Sequence, residues 1–140
     1  MSEDAMTGLP VEPPEVLIVD DMPSTRAMIK DMLIEIGYRD IVEAGSGQEA
    51  LEKLKQHGAK LILCDNRMKG MSGLELLNRL RNHPYLVGIP CIIVSSDGDV
   101  PIVDAALDLG AADFIVKPIS FKLLQKKIAD VVRRQGEQQR

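Results

Sequence analysis

Polar and charged residues follow four short apolar runs of this sequence, and their types suit the binding of a divalent cation and a phosphoryl group. Asp20 and Asp21 follow the run at 16–19, and Asp65 follows the run at 61–64. Ser95 follows the run at 91–94, and Lys117 follows the run at 114–116. Three carboxylates in one pocket repel one another and raise one another's pKa, so such a cluster needs a cation. Mg²⁺ is the natural candidate because it prefers hard oxygen ligands and usually takes only one or two carboxylates.

The formal charges of this set balance. Asp20, Asp21 and Asp65 contribute three negative charges, which Lys117 and one divalent ion neutralise. A phosphoryl group on one carboxylate replaces one negative charge with about two. The pocket would then carry about one excess negative charge, which calls for hydrogen-bond donors. Ser95 is placed to supply one of them.

Each of these residues has an ordinary structural interpretation when it is taken alone. An Asp pair after a strand is often a turn or a helix cap, and a single Ser or Lys carries no information. The indication of function comes from their combination at successive strand ends of one fold. The prediction therefore depends on the elements that position them.

From Glu15 onward, short apolar runs alternate with segments of helical periodicity. The runs predict five strands, at 16–19, 41–42, 61–64, 91–94 and 114–116. The periodic segments predict five helices, at about 28–36, 48–56, 74–80, 99–109 and from 120 onward. In the first helix, one inward face is expected to carry Met28, Ile29, Met32, Leu33 and Ile36. In the fifth helix we expect Phe121, Leu124, Ile128, Val131 and Val132 to face inward, and we expect its polar end from Arg133 to fray. This (βα)5 order predicts an α/β fold with a parallel sheet, helices on both faces and right-handed crossovers.

The composition of the runs predicts the order of the strands. Strands one, three and four are continuously apolar, as expected for central strands, whereas strands two and five are shorter or more polar. The expected sheet is therefore doubly wound and flavodoxin-like, with the order 2-1-3-4-5. Ligands of such sheets bind beyond the carboxyl ends of the strands, where the order reverses. Asp20, Asp21 and Asp65 must converge there.

Length and charge exclude several classes of function. With 140 residues and a net charge of −4, the chain fits one domain and is a poor candidate for direct nucleic-acid binding. Its apolar runs are too short to cross a membrane, and its acidic, Pro-rich beginning is unlike a signal peptide. We predict a flexible leader at 1–14, one domain at 15–135 and a polar tail at 136–140.

The two cysteines, Cys64 and Cys91, lie within apolar strands and have no zinc-site spacing. If their strands are parallel neighbours, the two residues are offset by roughly 10 Å along the strand axis, which argues against a disulfide. We expect two buried thiols and a reducing, cytoplasmic location.

Residues 15–135 resemble the receiver domains of two-component response regulators, including those that regulate chemotaxis. The matching stretches are VLIVDDMPSTR, LILCDNRMKGMSGLELL, CIIVSSD and GAADFIVKPIS. The resemblance implies that Asp65 is the phosphoacceptor and that Asp21 binds Mg²⁺ directly, with Asp20 acting through water. It also implies that the backbone carbonyl of Arg67 is a metal ligand and that Lys117 pairs with Asp65 or its phosphoryl group. The strand order 2-1-3-4-5 is known for this family as well, so the two expectations are not independent.

The same resemblance implies a conformational switch. Ser95 is the expected switch hydroxyl, Phe114 the aromatic residue that turns inward, and the Lys117-Pro118 bond is expected to be cis. The surface formed by the fourth helix, the fifth strand and the fifth helix would change shape on phosphorylation. Phe114 lacks the hydroxyl group of a Tyr, so its inward position would gain burial without a hydrogen bond.

Two positions depart from the common pattern of the family. Lys69 stands where a Pro is usual, which should loosen the loop after Asp65, although Gly70 and Gly73 are in place. Arg67 stands where smaller polar residues are frequent. Its side chain either reaches the mouth of the phosphoryl site and alters dephosphorylation, or is simply solvated.

The partners implied are a sensor histidine kinase or a histidine phosphotransfer protein, together with an unknown output protein. The chain would be a monomer or a phosphorylation-dependent dimer, and it would not be an enzyme beyond its own phosphorylation and dephosphorylation. One alternative is a receiver domain excised from a longer regulator or a hybrid kinase. A second is a phosphohydrolase with an Asp nucleophile, although such enzymes commonly carry Asp-x-Asp rather than the adjacent pair Asp20-Asp21.

Overall fold

A computed structural model describes residues 12–138, so most of the predicted leader and the last two residues of the predicted tail lie outside the described residues. The strands are β1 (Val16–Val19), β2 (Ile41–Ala44), β3 (Ile62–Cys64), β4 (Cys91–Ser95) and β5 (Asp113–Val116). The helices are α1 (Pro23–Ile36), α2 (Gly47–His57), α3 (Gly73–Arg81), α4 (Val100–Asp108) and α5 (Phe121–Gln138). All five predicted strands and all five predicted helices are present.

The five strands form one parallel sheet in the order β2-β1-β3-β4-β5, which confirms the predicted topology. Val19 of β1 pairs with Cys64 of β3, so Asp20 and Asp65 each lie one residue beyond a matched pair. Ser95 of β4 pairs with Val116 of β5, immediately before Lys117. The register of the sheet therefore delivers the predicted site residues to one edge.

Alternate strand residues face two separate hydrophobic cores, because both faces of a parallel sheet are covered by helices. Leu17 and Val19 belong to the core that α2, α3 and α4 cover. Val16 and Ile18 belong to the core that α1 and α5 cover. This packing on both faces fixes the strands that carry the site.

Hydroxyl caps begin the two helices that flank the middle of the sheet. Ser46 accepts a hydrogen bond from the amide of Glu49 at the start of α2, and Ser72 accepts one from Glu75 at the start of α3. Asp99 occupies the N-cap position of α4, but its side chain makes no capping hydrogen bond. Ser72 matters for the site because it fixes the end of the loop that follows Asp65.

The helix faces differ from the sequence prediction at their margins. Met28 and Val132, which the periodicity places inward, are 41% and 51% exposed, whereas Leu124 is fully buried. These two residues lie at the edge of the apolar stripe, where a helix leaves the sheet surface.

Helix α5 continues to Gln138 and passes the point at Arg133 where fraying was expected. Nη2 of Arg133 lies 3.5 Å from Oδ1 of Asp130, and its Nε lies 4.0 Å from Oε1 of Glu137. Both partners are within about one helical turn. Arg134 donates a hydrogen bond to the carbonyl of Ala112, which joins this end of the helix to the sheet. These contacts explain why the polar sequence continues as a helix.

Both cysteines are buried and free, as expected. Cys91 pairs with Ile62, so Cys64 lies two residues farther along the strands, or roughly 7 Å rather than the expected 10 Å. Burial raises the pKa of Cys64 well above its usual range and raises the pKa of Cys91 to about 12. Over residues 12–138, no helix has the length and the apolar character needed to cross a membrane.

Candidate functional site

Three carboxylates meet at the carboxyl edge of the sheet. One oxygen from each of Asp20, Asp21 and Asp65 lies within 4.8 Å of the others. Asp20 and Asp65 are buried, with exposures of 1% and 8%, and Asp21 is the more exposed member. A set of hard oxygen donors at this spacing, open to solvent on one side, fits Mg²⁺ with part of its water shell retained.

Lys117 provides the positive charge of this cluster. Its Nζ lies 2.9 Å from Oδ2 of Asp20 and 3.4 Å from Oδ2 of Asp65. The Lys117-Pro118 peptide bond is cis. The predicted contact with Asp65 is present, but the closer partner of Lys117 is Asp20.

Burial and neighbouring charges set the proton affinities within the cluster. Burial raises the pKa of Asp65, and the charge of Asp20 adds to this effect, while Lys117 opposes it. For Lys117, burial alone would lower the pKa, but the hydrogen bond with Asp20 and the charge of Asp65 raise it overall. Lys117 therefore stays protonated, and Asp65 is a more basic carboxylate than an ordinary Asp, which favours its use as a nucleophile.

The backbone around Asp20 is fixed by an arginine that the sequence did not single out. Arg26 of α1 donates a hydrogen bond of 2.6 Å to the carbonyl of Asp20, and its Nε lies 3.0 Å from Oε1 of Glu43 on β2. Oδ1 of Asp20 accepts the amide of Met22 at 2.9 Å. These contacts leave Oδ2 of Asp20 directed to Lys117. Arg26 lies within VLIVDDMPSTR, but its role depends on a partner in another strand.

The loop after Asp65 is closed by Asn66 and Gly73. The side-chain oxygen of Asn66 accepts the amide of Leu74 at 3.1 Å, and its carbonyl accepts the amide of Gly73 at 2.9 Å. A Cβ atom on Gly73 would lie only 2.3 Å from the carbonyl oxygen of Asp65. Helix α3 can therefore begin directly against the backbone of Asp65 only because residue 73 is a glycine.

Ser95 and Phe114 lie on the adjacent strands β4 and β5, but Ser95 pairs with Val116, two residues beyond Phe114. Ser95 is fully buried at the end of β4, and its Oγ accepts the amide of Asp97 at 3.3 Å. Phe114 is 7% exposed and packs in the core that α4 covers, opposite Ile93. Ser95 therefore lies at the edge of the sheet that carries the site, whereas Phe114 already has the inward position that was expected only after phosphorylation.

Arg67 makes a contact that neither sequence-based alternative included. Its guanidinium group lies 2.9 Å from the carboxylate of Asp97, which belongs to the loop after β4. The amide of Arg67 has a favourable interaction with the carboxylate of Asp65. Lys69 is exposed, as its position in the loop suggests.

Several surface cavities of the described chain lie away from this cluster. One of about 570 Å³ is at the opposite edge of the sheet and is lined by residues that include Tyr38, Lys60 and Val132. Within residues 12–138, the acidic cluster combines converging carboxylates, a half-buried ammonium group and a shifted pKa. Cavity size is therefore not what identifies the candidate site.

Comparisons with known proteins agree with this geometry. A family described as the response regulator receiver domain matches residues 16–129. The chain is 35% identical over 119 residues to the chemotaxis protein CheY1 of Helicobacter pylori, covering 84% of this chain and 96% of that protein. It is also 35% identical to a CheY homologue of Campylobacter jejuni, covering 84% of this chain and 92% of that protein.

Two solved structures show the same fold. A CheY-like response regulator receiver domain protein from Methanospirillum hungatei superposes with a TM-score of 0.82 at 27% identity, covering 91% of this chain and 99% of that one. Chemotaxis protein CheY4 of Vibrio cholerae gives a TM-score of 0.78 at 28% identity, covering 85% and 98% of the two chains. The likeness extends over nearly the whole of both structures.

Substitution Gly73→Ala should destabilise the protein by about 1–3 kcal/mol, because the new methyl group would overlap the backbone of Asp65. Urea denaturation measures this change. Gly136→Ala is the matched control, since a Cβ at residue 136 in helix α5 meets nothing within 4 Å. That variant should gain up to about 1 kcal/mol from its higher helix propensity. Equal stabilisation by both substitutions would contradict the close approach at residue 73.

Substitution Asp65→Asn should raise the melting temperature at pH 7 in the absence of divalent ions. The pKa of Asp65 is raised in the folded state, so the free energy of unfolding falls as pH rises from the unfolded pKa of 3.8 through the folded pKa. Asn does not ionise and avoids this loss, so the gain should disappear below about pH 3.8, where Asp65 is protonated in both states.

Thermal unfolding followed by circular dichroism at several pH values tests this expectation. Asp104→Asn, an exposed change on α4, is the control and should leave the pH dependence unaltered. A lower melting temperature for Asp65→Asn at pH 7 would show that Lys117 outweighs burial at this carboxylate.

Proposed function

The chain belongs to the response regulator receiver domain family, and on that premise we propose that it is a phosphorylation switch that accepts a phosphoryl group on Asp65. The observation that carries the proposal is the position of this carboxylate. Asp65 is buried beside two further carboxylates, and its oxygen lies 3.4 Å from the ammonium group of Lys117. A nucleophile, a metal-binding group and a fixed cation are thus present within one cluster.

The transfer requires one bond to form and one to break. A carboxylate oxygen of Asp65 attacks the phosphorus atom, and the bond from phosphorus to the donor breaks with its electron pair leaving on the donor. With a phosphohistidine donor the leaving group is the imidazole ring, and with acetyl phosphate it is acetate. Lys117 lies 3.4 Å from Oδ2 of Asp65 and is therefore close enough to pair with the phosphoryl oxygens.

The residues that would hold Mg²⁺ are Asp21, Asp65 and the backbone carbonyl of Arg67, with Asp20 acting through water. When bound, the ion would neutralise developing negative charge on the phosphoryl oxygens. Asp20 is directed by its contacts with Met22 and Lys117, which suits an indirect role better than direct coordination. Asp21 is more exposed and has room for a cation that retains water.

We further propose that phosphorylation switches the surface formed by α4, β5 and α5. The hydroxyl group of Ser95 is buried at the end of β4 and is the nearest hydroxyl group on the neighbouring strand. If this hydroxyl group donates to the phosphoryl group while it still accepts the amide of Asp97, the loop before α4 is drawn toward the site with it. Phe114, which is buried in the core that α4 covers, would adjust its packing in response.

The partners in this proposal are a histidine kinase or histidine phosphotransfer protein as donor and an output protein that reads the switched surface. The chain would act by its own phosphorylation and dephosphorylation rather than as a turnover enzyme. A cytoplasmic location is part of the proposal, and the two free thiols agree with a reducing compartment.

Incubation with acetyl phosphate and Mg²⁺ should add one phosphoryl group to the wild-type protein and none to Asp65→Asn. Intact-mass spectrometry at short times measures this gain. Asp21→Asn should slow labelling at limiting Mg²⁺, because one metal ligand is lost. Exposed Asp104→Asn should label like the wild type. Labelling of Asp65→Asn would contradict the assignment, and repeated turnover of a phosphomonoester would favour a phosphohydrolase instead.

Phosphorylation should shift the ring signals of Phe114 in a protein with labelled phenylalanine, and Ser95→Ala should abolish most of that shift. The chain has only two phenylalanines, so the ring signals of Phe114 need to be distinguished only from those of Phe121. Ser96→Ala, an exposed change one residue later, is the matched control and should respond like the wild type. An unchanged Phe114 response in Ser95→Ala would show that this hydroxyl does not carry the coupling.

A further inference from the structure

An ion pair joins the two loops that flank the phosphoacceptor. Arg67 lies two residues after Asp65, and Asp97 lies two residues after Ser95. Their side chains meet with Nη2 of Arg67 2.9 Å from Oδ2 of Asp97. The pair therefore connects the loop after β3 to the loop after β4, next to the acidic cluster.

Both members of this pair are attached to groups of the site. The amide of Arg67 interacts with the carboxylate of Asp65. The amide of Asp97 donates to Oγ of Ser95 at 3.3 Å. A change in the partner of Arg67 would thus be felt at the loop that holds Ser95.

The charge count of the phosphorylated site leaves a place for one more cation. The formal charges of three carboxylates, one lysine and one divalent ion sum to zero. A phosphoryl group on Asp65 then leaves the site with about one excess negative charge. Arg26 is unsuited to this role, because its guanidinium group already bonds the carbonyl of Asp20 and the carboxylate of Glu43. Arg67 is 69% exposed and is held by a surface ion pair, which is a weak interaction.

We propose that Arg67 exchanges partners on phosphorylation. Its guanidinium group releases the carboxylate of Asp97 and binds the phosphoryl group on Asp65. This inference rests on the proposed function of Asp65. A guanidinium group can bind two oxygens of a phosphoryl group at once, and that group carries about twice the charge of a carboxylate. Asp97 is then a competing anion that holds Arg67 beside the site until the phosphoryl group arrives.

The exchange has a structural consequence. Once Arg67 leaves Asp97, the loop after β4 is no longer joined to the loop after β3 through this pair. The loop is released in the same step in which Ser95 would be drawn to the phosphoryl group. Arg67 would thereby contribute both to the stability of the phosphorylated state and to the freedom of the loop before α4.

Binding of a fluoroberyllate ion, a non-covalent phosphoryl mimic, tests the exchange. Its affinity in saturating Mg²⁺ can be measured by titration calorimetry or by fluorine NMR for the wild type, Arg67→Ala, Asp97→Asn and the double variant. Arg67→Ala should weaken binding about tenfold, the factor expected for one lost hydrogen bond between charged groups. Asp97→Asn should tighten binding about threefold, because it frees Arg67 from a surface pair.

The double variant distinguishes exchange from simple repulsion. If Asp97 acts only by holding Arg67, Asp97→Asn should have no effect once Arg67 is absent. Arg67→Lys should restore part of the affinity, since it keeps the charge but not the two-pronged geometry. Lys69→Ala removes another exposed cation of the same loop and should leave the affinity unchanged.

The possible failures are distinguishable. A wild-type protein that does not bind the mimic in Mg²⁺ would contradict the proposed function itself. A wild-type protein that binds the mimic, with Arg67→Ala equal to it, would overturn the exchange alone. Equal tightening by Asp97→Asn with and without Arg67 would also overturn it, because Asp97 would then act by direct repulsion. Circular dichroism of each variant verifies that it is folded.

Discussion

The site depends on one ion pair network: the ammonium group of Lys117 lies between Asp20 and Asp65, which come from two other strand ends. Two buried carboxylates this close would repel each other, and burial would penalise each charge further. Lys117 reduces this cost and, by the same contacts, ties the end of β5 to the ends of β1 and β3. Every proposed step of phosphoryl transfer requires these three strand ends to be held together.

The apolar core provides the rigidity that this network needs. Strands buried on both faces leave the carboxylates little freedom along the sheet, because a shift in register would move whole sets of side chains between the two cores. The loops beyond the strands are fixed by local polar contacts instead. Asn66 and Gly73 close the loop after β3 with hydrogen bonds of 3.1 and 2.9 Å. The loop after β4 is held by Asp97 through a longer hydrogen bond of 3.3 Å to Ser95 and an ion pair with the exposed side chain of Arg67. The rigid loop carries the nucleophile, and the more loosely held loop carries the proposed response.

The fold and the members of the acidic cluster could be predicted from the sequence because both follow from strong local signals. Apolar runs gave the strands, their composition gave the order, and parallel pairing then required the strand ends to meet. The contacts of Arg26 with Glu43 and of Arg67 with Asp97 could not be predicted in this way. Each joins residues distant in sequence through long, flexible side chains, and no periodicity records such a pairing. The burial of Met28 and Val132 was overestimated because periodicity identifies a helix face but not where the sheet beneath it ends.

The two buried cysteines have a consequence for how selectively the protein responds. A thiol reacts with oxidants and electrophiles mainly as its thiolate, and burial raises the pKa of both Cys64 and Cys91. Cys64 immediately precedes Asp65, so an adduct on its sulfur would disturb the nucleophile directly. Because that sulfur is buried and its pKa is raised, peroxide or alkylating agents at moderate concentration should leave the thiol unmodified and the neighbouring carboxylate in place. The same shielding makes the chain a low-background scaffold for spectroscopic probes attached at an introduced surface cysteine.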